Sequence, residues 1–309
     1  MSDSGAVLGA LDCGTNSTRL LVVGPGGEPL VREVRITRLG QGVDRTRTLH
    51  PDAIARTTAV LAEFAETMGR LGVTGARLVA TSAVRDAANR AEFVAAATAA
   101  SGVPAEVLSG IDEARLSYEG ATADLPPVAG DDVVLDIGGG STELAVAGDG
   151  GLEAVSLDLG SVRLTERDLP SDPPTEGELA AAGRDIEAEL ARAEAAVPAL
   201  AALPPGSRLL GLAGTVSTIA ALDQGLPSYD RDALHHSVLR AATVGRWCDT
   251  LAAEPAAARA RRPGMVEGRQ DVIVGGILVL RAVMARFRFA ECLVSESDIL
   301  DGLIASQRG

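Results

Sequence analysis

Lysine is missing from this sequence altogether: all 28 fixed cations are arginines, set against 42 acidic residues for a formal net charge of −14. A Walker A phosphate loop needs a lysine that reaches the β/γ-phosphates, so P-loop chemistry is excluded. Any handling of phosphate must rest on backbone amides, hydroxyls, arginines or a metal ion. An acidic chain also lacks the basic face that general adhesion to nucleic acid requires, so no nucleic-acid partner is expected. Cysteine is scarce. Cys13, Cys248 and Cys292 form no CxxC pair, which argues against a disulfide framework or a zinc knuckle. No apolar run approaches a membrane span, so no membrane partner is expected. The opening MSDSGAVLGALD has no basic stretch and passes straight into a strand-like segment, so it does not read as a signal peptide. The expected location is the cytoplasm.

What is present is a globular composition, 46% hydrophobic and 23% charged, on a chain of 309 residues that is too long for one ordinary core. The expected division is 1–125 and 126–309, across the Pro-rich acidic stretch ADLPPVAGDD (123–132), with the last residues able to pack back on the first domain. Strand-like segments recur at AVLGALD, STRLLVVG and REVRITRLG. A helix is predicted over 51–70, where Ile54, Val60, Leu61, Phe64 and Met68 form one apolar stripe behind a Pro-Asp start. Strand RLVAT, a helix through ANRAEFVAAATAA, strand AEVLSG and a helix opening at IDEARLSYEGA follow. Beyond the linker the pattern restarts with strand-like VVLDIGGG, STELAVAG and AVSLDLGSVRLTE. Thr175-x-x-Glu178 is a capping box that opens a helix to about residue 202. Strand RLLGLAG leads into helix TVSTIAAL; the remainder, including GMVEGRQDVIVGGILVLRAVMARF, reads as helical with a short strand near CLVS.

The restart is a repeat. LDCGTNSTRLLVVG (11–24) and LDIGGGSTELAVAG (135–148) agree at eight of fourteen positions without a gap. Each reads as a strand, a turn of Gly and small hydroxylated residues, and a second strand. Such a tip can lay backbone N–H groups against phosphate oxygens, because glycine lets the backbone approach closely. The Asp before each turn, Asp12 and Asp136, stands at a strand end, where it can hold a metal ion or its waters. Two tips presented by facing domains can enclose one phosphoryl group.

This duplicated α/β arrangement, with a third glycine turn at 211–215, resembles the actin / Hsp70 / sugar-kinase superfamily. LDCGTNSTRLLV, ATSAVRDAANRAEF, LSGIDEARLSYEGA, LDIGGGSTELAV, LGSVRLTE and GLAGTVSTIAAL, in that order, are similar to the exopolyphosphatase / guanosine-pentaphosphate phosphatase family, in its short two-domain form. The resemblance covers essentially the whole chain. It implies two actin-like (ribonuclease H-like) domains with a ligand cleft between them, and a phosphoric anhydride hydrolase that uses Mg²⁺ or Mn²⁺. Its expected substrate is inorganic polyphosphate, with guanosine pentaphosphate as the alternative.

By that resemblance Glu113 is the base that activates water, since it takes the place of the second acid in the family's EEAR-type motif. On its own, a first-turn carboxylate after Ser109-Gly-Ile-Asp112 reads as a helix-dipole partner, and Asp112 is given that capping role. Arg85 is the expected side-chain cation on the phosphate, a bidentate donor that stabilises transition-state charge; otherwise it is a surface arginine paired with an acid. Asp136 and Glu143, with Asp12, are implied metal ligands, although a strand-end Asp is often a turn former and an outward Glu often merely solvated. Gly14, Thr15, Asn16 and Ser17 in the first tip, Gly138, Gly139, Gly140, Ser141 and Thr142 in the second, and Gly214 and Thr215 in the third turn are implied phosphate contacts.

Arg19 can face either way on its hairpin. The Arg32–Arg47 and Arg259–Arg262 groups read as solvated faces, though either could follow a polyanion. His235-His236 and Trp247 read as structural. A homodimer is expected. Two rival classes are an actin-like kinase, which the SGxxEAR and GSVRLTE segments oppose, and a nucleotide sensor without turnover. The tail VSESDILDGLI, where relatives tend to read VSDxGLREG, leaves room for the sensor.

Overall fold

The computed structural model describes residues 5–148 and 150–308. The first four residues, read above as leading directly into a strand, lie outside them. The chain forms two compact units: 1–120 together with 299–309, and 121–298. The boundary at 120/121 falls inside a helix rather than in the Pro-rich stretch that follows it, and the chain's last helix belongs to the first unit.

Unit 1 holds β1 (Leu8–Cys13), β2 (Ser17–Val23), β3 (Pro29–Ile36), α1 (Val43–Thr46), α2 (Pro51–Arg70), β4 (Gly75–Ala80), α3 (Ser82–Asp86), α4 (Arg90–Ser101), β5 (Ala105–Val107) and α5 (Gly110–Thr122). Its five-stranded sheet has the order β3-β2-β1-β4-β5: an antiparallel meander that continues into parallel strands. β1 is buried on both sides, and its alternation decides which residue faces which layer. Leu11 and Cys13 pack with Leu20, Val22, Leu61, Phe64 and Met68 under α2. Leu8 and Ala10 face Leu108 and Leu116, the latter on α5, together with Leu300 and Leu303 of the final helix. Asp12 shares the parity of Leu8 and Ala10, so it too stands on the α5 side. The predicted α2 is present over 51–70, with Pro51 at its first position and the His50 ring accepting from the Asp52 amide at 3.2 Å.

Unit 2 holds β6 (Asp132–Ile137), β7 (Thr142–Gly148), β8 (Gly151–Leu157), α6 (Ser161–Asp168), α7 (Glu176–Ala196), α8 (Pro198–Ala201), β9 (Arg208–Leu212) and α9 (Ala213–Gln224). It continues through α10 (Arg231–Leu234), β10 (Val238–Arg240), α11 (Ala241–Ala252), α12 (Ala256–Arg259), α13 (Ile273–Arg286) and β11 (Glu291–Val294), and α14 (Ile299–Ser306) then returns to unit 1. The sheet order β10-β11-β9-β6-β7-β8 contains the unit 1 order, with β8-β7-β6-β9-β11 in place of β3-β2-β1-β4-β5. The repeat seen in one hairpin is therefore a repeat of the whole topology.

The sequence reading gave no α1, α3 or β10, and three further segments take another form than expected. GSVRLTE is helical (α6) rather than a strand extension, because its first three amides close onto the glycine tip of the preceding hairpin. The helix from the Thr175 capping box stops at Ala196, since Pro198 has no N–H and disfavours helical geometry in the residue before it. Residues 264–272 form turns before α13, because Gly264 and Gly268 take positive φ of 89° and 82°.

All three cysteines are free and buried. Burial pushes Cys248 up to about 11 and Cys292 up to about 12, and it raises Cys13 well above the ordinary range with the Asp12 charge adding to it. At pH 8 a thiol-specific chromogenic disulfide should label none of them in the native protein and all three in guanidinium. Rapid native labelling would mean that the cores around them open.

Candidate active site

In both units the parallel strands end level. Cys13 is opposite Ala80 and Ala80 is opposite Val107, so β1, β4 and β5 present one carboxyl edge. Leu135 and Val294 both pair with Gly211, so β6, β9 and β11 do the same. Ligands of open α/β sheets bind at that edge, and nearly every residue singled out from the sequence falls there.

In unit 1, Arg85 sits in the last turn of α3, which follows β4, and Glu113 in the first turn of α5, which follows β5. The Arg85 guanidinium donates from Nη1 to Glu113 Oε2 at 2.9 Å and to the Leu108 carbonyl at 3.0 Å, tying the end of one strand connection to the next. Glu113 is 8% exposed. Asp112 takes the capping part: Ser109 Oγ accepts its amide at 3.1 Å and donates to its carboxylate at 2.6 Å. Asp12 and Arg19 are direct cross-strand partners on β1 and β2. The Arg19 fork grips Asp12 Oδ2 at 2.8 and 2.6 Å, which settles the direction of Arg19.

The equivalent register position in unit 2 carries different chemistry. Asp136 and Glu143 are direct partners on β6 and β7, both nearly buried, and Ser156 on β8 donates to Glu143 Oε1 at 2.7 Å. One copy of the hairpin therefore sets an acid against an arginine, and the other sets an acid against an acid. Facing carboxylates on one sheet face repel each other and favour a cation beside them.

The tips are shaped from behind. Gly14 and Gly138 each donate to the carbonyl three residues on, Ser17 and Ser141, at 3.0 Å. In the second tip the Gly138 carbonyl accepts Ser161 N at 3.0 Å, and the Gly139 carbonyl accepts Val162 N at 2.8 Å and Arg163 N at 3.1 Å. The Gly140 carbonyl accepts Arg163 Nε at 2.6 Å. A trans peptide points its N–H opposite its C=O. Three carbonyls turned toward α6 thus turn the amides of Gly139, Gly140 and Ser141 away from it, as an anion nest requires. Gly160 lies so close beneath Gly139 and Gly140 that a Cβ would overlap their backbone.

In the first tip a loop does the same work. Thr37 N and Arg38 N donate to the Asn16 carbonyl at 3.1 and 2.9 Å, and Gly40 N donates to the Thr15 carbonyl at 2.8 Å. The amides of Asn16 and Ser17 are directed outward in turn. Arg38 has φ of +50°, in the left-handed region that a non-glycine residue adopts at a cost.

The third turn follows β9, where Ala213 has φ of +64°. The Arg269 guanidinium lies on Gly214 so closely that any side chain there would overlap it, and Gly276 of α13 packs on the buried Thr215. Sequence reasoning missed Arg269 because residues 264–272 show no period. It also passed over Arg163, which looks like one arginine among 28 until its burial is seen.

Four arginines of the two groups have local partners. Arg32 pairs with Asp301 at 2.6 Å and Arg35 with Glu33 at 2.6 Å. Arg259 pairs with Asp172, and Arg262 pairs with Glu254 while standing 5.3 Å over the Trp247 ring. His235, His236 and Asp124 cluster closely enough to suggest an ion. However, Glu296 N donates to His235 Nδ1 at 3.0 Å, which leaves the neutral ring's proton on Nε2, directed at Asp124 Oδ2 3.1 Å away. That nitrogen is a donor, so the cluster reads as a hydrogen-bonded tie, not a ligand set.

Desolvation first, and the stacked His235 second, hold His236 below the ordinary histidine range. The unfolded chain therefore takes up the proton more readily. The stability His236 contributes is complete above its unfolded value of about 6.5 and is lost as pH falls from there through the folded value. His236→Asn, which tolerates the observed φ of +63°, should lose less melting temperature than wild type between pH 7 and pH 5. Parallel melting curves would remove His236 from the acid response.

Two α/β units of one topology, each with a glycine-tipped hairpin at the carboxyl edge of its sheet, define a phosphate-handling protein of actin-like fold. The chain belongs to the Ppx/GppA phosphatase family, which it matches over residues 23–308. It is 42% identical to Exopolyphosphatase 2 of Mycobacterium tuberculosis over 97% of this chain and 98% of that one. A crystal structure of an exopolyphosphatase-like protein superposes with a TM-score of 0.91 at 35% identity, covering 98% of both chains. The Aquifex aeolicus Ppx/GppA family member superposes with a TM-score of 0.80 at 30% identity, covering 98% of this chain and 97% of that one. Among the described residues no helix is long and apolar enough to cross a membrane.

Proposed function

We propose that the protein is an exopolyphosphatase that releases terminal orthophosphate from inorganic polyphosphate, in the cytoplasm and as a homodimer. The observation that carries the chemistry is Glu113, a buried carboxylate held by Arg85 where α5 leaves the carboxyl edge of the sheet. The likeness to Exopolyphosphatase 2 supports the substrate.

In this reading Glu113 accepts a proton from water as that water attacks the terminal phosphorus. The P–O bond to the chain breaks, and the negative charge that develops on the leaving oxygen is stabilised electrostatically. Arg85 orients Glu113 and meets phosphoryl oxygens. In each unit the outward amides of the tip are phosphate donors, joined by the hydroxyls of Thr15 and Ser17 in the first and of Ser141 in the second. Asp136 and Glu143 fit a divalent ion, because two hard carboxylate donors stand directly opposite one another in the β6–β7 register. They would hold Mg²⁺ or Mn²⁺, which would neutralise phosphoryl charge. Asp12 then anchors Arg19 instead of binding metal.

The test is orthophosphate release from short polyphosphate, long polyphosphate and guanosine pentaphosphate, side by side, with and without Mg²⁺. Mg²⁺-dependent release, fastest from polyphosphate, is expected. Preference for guanosine pentaphosphate would move the protein to the other activity named in its family. Consumption of ATP only with an acceptor would indicate a kinase, and nucleotide binding without any release would indicate a sensor.

A further inference from the structure

The amides of the second tip do not orient themselves. A run of three glycines has the widest backbone freedom of any tripeptide, and each could rotate its N–H inward. Two of the three carbonyls are held by α6 backbone amides, a constraint that any residue at those positions supplies. The third, Gly140, is held by a side chain. Arg163 Nε donates to it at 2.6 Å from a position only 7% exposed. In the first tip the equivalent carbonyl, that of Asn16, is held by two backbone amides, from Thr37 and Arg38. At this one place, therefore, the repeat replaces a main-chain constraint by an arginine.

The peptide that Arg163 holds is Gly140–Ser141, whose N–H belongs to Ser141. The same residue carries one of the tip's hydroxyls and opens the approach to Thr142 and Glu143. Burying a guanidinium is costly and is tolerated where its donors are matched to acceptors. Asp158, on an exposed side chain, lies 3.8 Å from Nη2, farther than the Gly140 carbonyl lies from Nε. The geometry is that of a side chain positioned for the loop's carbonyl.

We propose that Arg163 is a positioning residue for the reaction: it holds the Gly140–Ser141 peptide so that the Ser141 amide faces the phosphoryl group, without itself touching substrate. This rests on the phosphate reading of the second tip. It makes the tip an anion site only while the carbonyl behind it is gripped. Losing one charge-assisted hydrogen bond of this kind weakens anion binding by about tenfold or more.

The experiment uses the full chain and orthophosphate as the probe. Amide ¹⁵N–¹H shifts of Gly139, Gly140 and Ser141 are followed on titration of wild type, Arg163→Met and Arg163→Lys, together with KM and kcat for polyphosphate. Wild type should shift all three amides. Arg163→Met should bind orthophosphate at least about tenfold more weakly, with the Ser141 response lost first and KM raised more than kcat is lowered. Arg163→Lys, which keeps a donor and the charge, should recover part of the Ser141 response; it also decides the matter if the Met variant does not fold. Unchanged affinity and Ser141 shift in both folded variants, with only a lower melting temperature, would make Arg163 merely structural and overturn the proposal. No shift at the tip in wild type would instead overturn the phosphate reading.

Discussion

Glu113→Gln should lower kcat for phosphate release by about 10²–10⁴-fold while leaving KM nearly unchanged. That loss corresponds to about 3–5 kcal/mol of transition-state stabilisation. The substitution is isosteric and keeps an oxygen able to accept from Arg85 Nη1, and Arg85 retains the Leu108 carbonyl. The fold should therefore hold, with the melting temperature lowered by a few degrees at most. A variant equally stable and equally active would remove Glu113 from the chemistry and leave it a helix-start carboxylate beside an arginine. One that loses activity in step with its melting temperature would point the same way. The informative result is a dead enzyme that is still folded.

Glu143→Gln should remove the response to Mg²⁺ and most of the activity. Asp136 and Glu143 are buried and directly opposite in the β6–β7 register, and two carboxylates so placed favour a cation beside them. With Mg²⁺ the wild type should rise in melting temperature while the variant responds weakly, and phosphate release by the variant should fall by about 100-fold or more. The change at the matching position of unit 1, Arg19→Gln, should lower stability. It strips the fork from a buried Asp12 and destabilises the protein with or without metal. Equal Mg²⁺ shifts in wild type and Glu143→Gln would place the ion elsewhere.

The two hairpins also show why a repeat in sequence need not be a repeat in chemistry. Among the six positions at which the fourteen-residue segments differ, the exchange of Arg19 for Glu143 is a single letter. In the sheet it converts a neutral pair into a doubly negative one, because both residues face an Asp across the strand. The same register position thus carries an acid–arginine pair in unit 1 and an acid–acid pair in unit 2.

Much of this was legible from residue order. Period and capping place α2 and α7, because an apolar stripe and a cap act locally. The doubled glycine turn marks both tips, because only small residues let a backbone approach an anion. The absence of lysine leaves arginine as the sole fixed cation. Segments whose structure comes from distant partners did not read correctly. α6 looks like a strand because its Val and Leu alternate with polar residues, and it is a helix because the carbonyls of Gly138 and Gly139 receive its first amides. Arg269 stands on Gly214 from a stretch of turns that carries no pattern.

The sequence by itself determined the class of chemistry: an acidic, lysine-free chain with two glycine tips, an acid before each tip and a glutamate at a helix start. Only the tertiary structure decided which acid faces an arginine and which faces another acid, which carbonyls are gripped from behind, and that Arg163 is buried. Those depend on strand register and on contacts between residues far apart in the chain, and hydrogen bonds of that kind leave no period in the sequence to read.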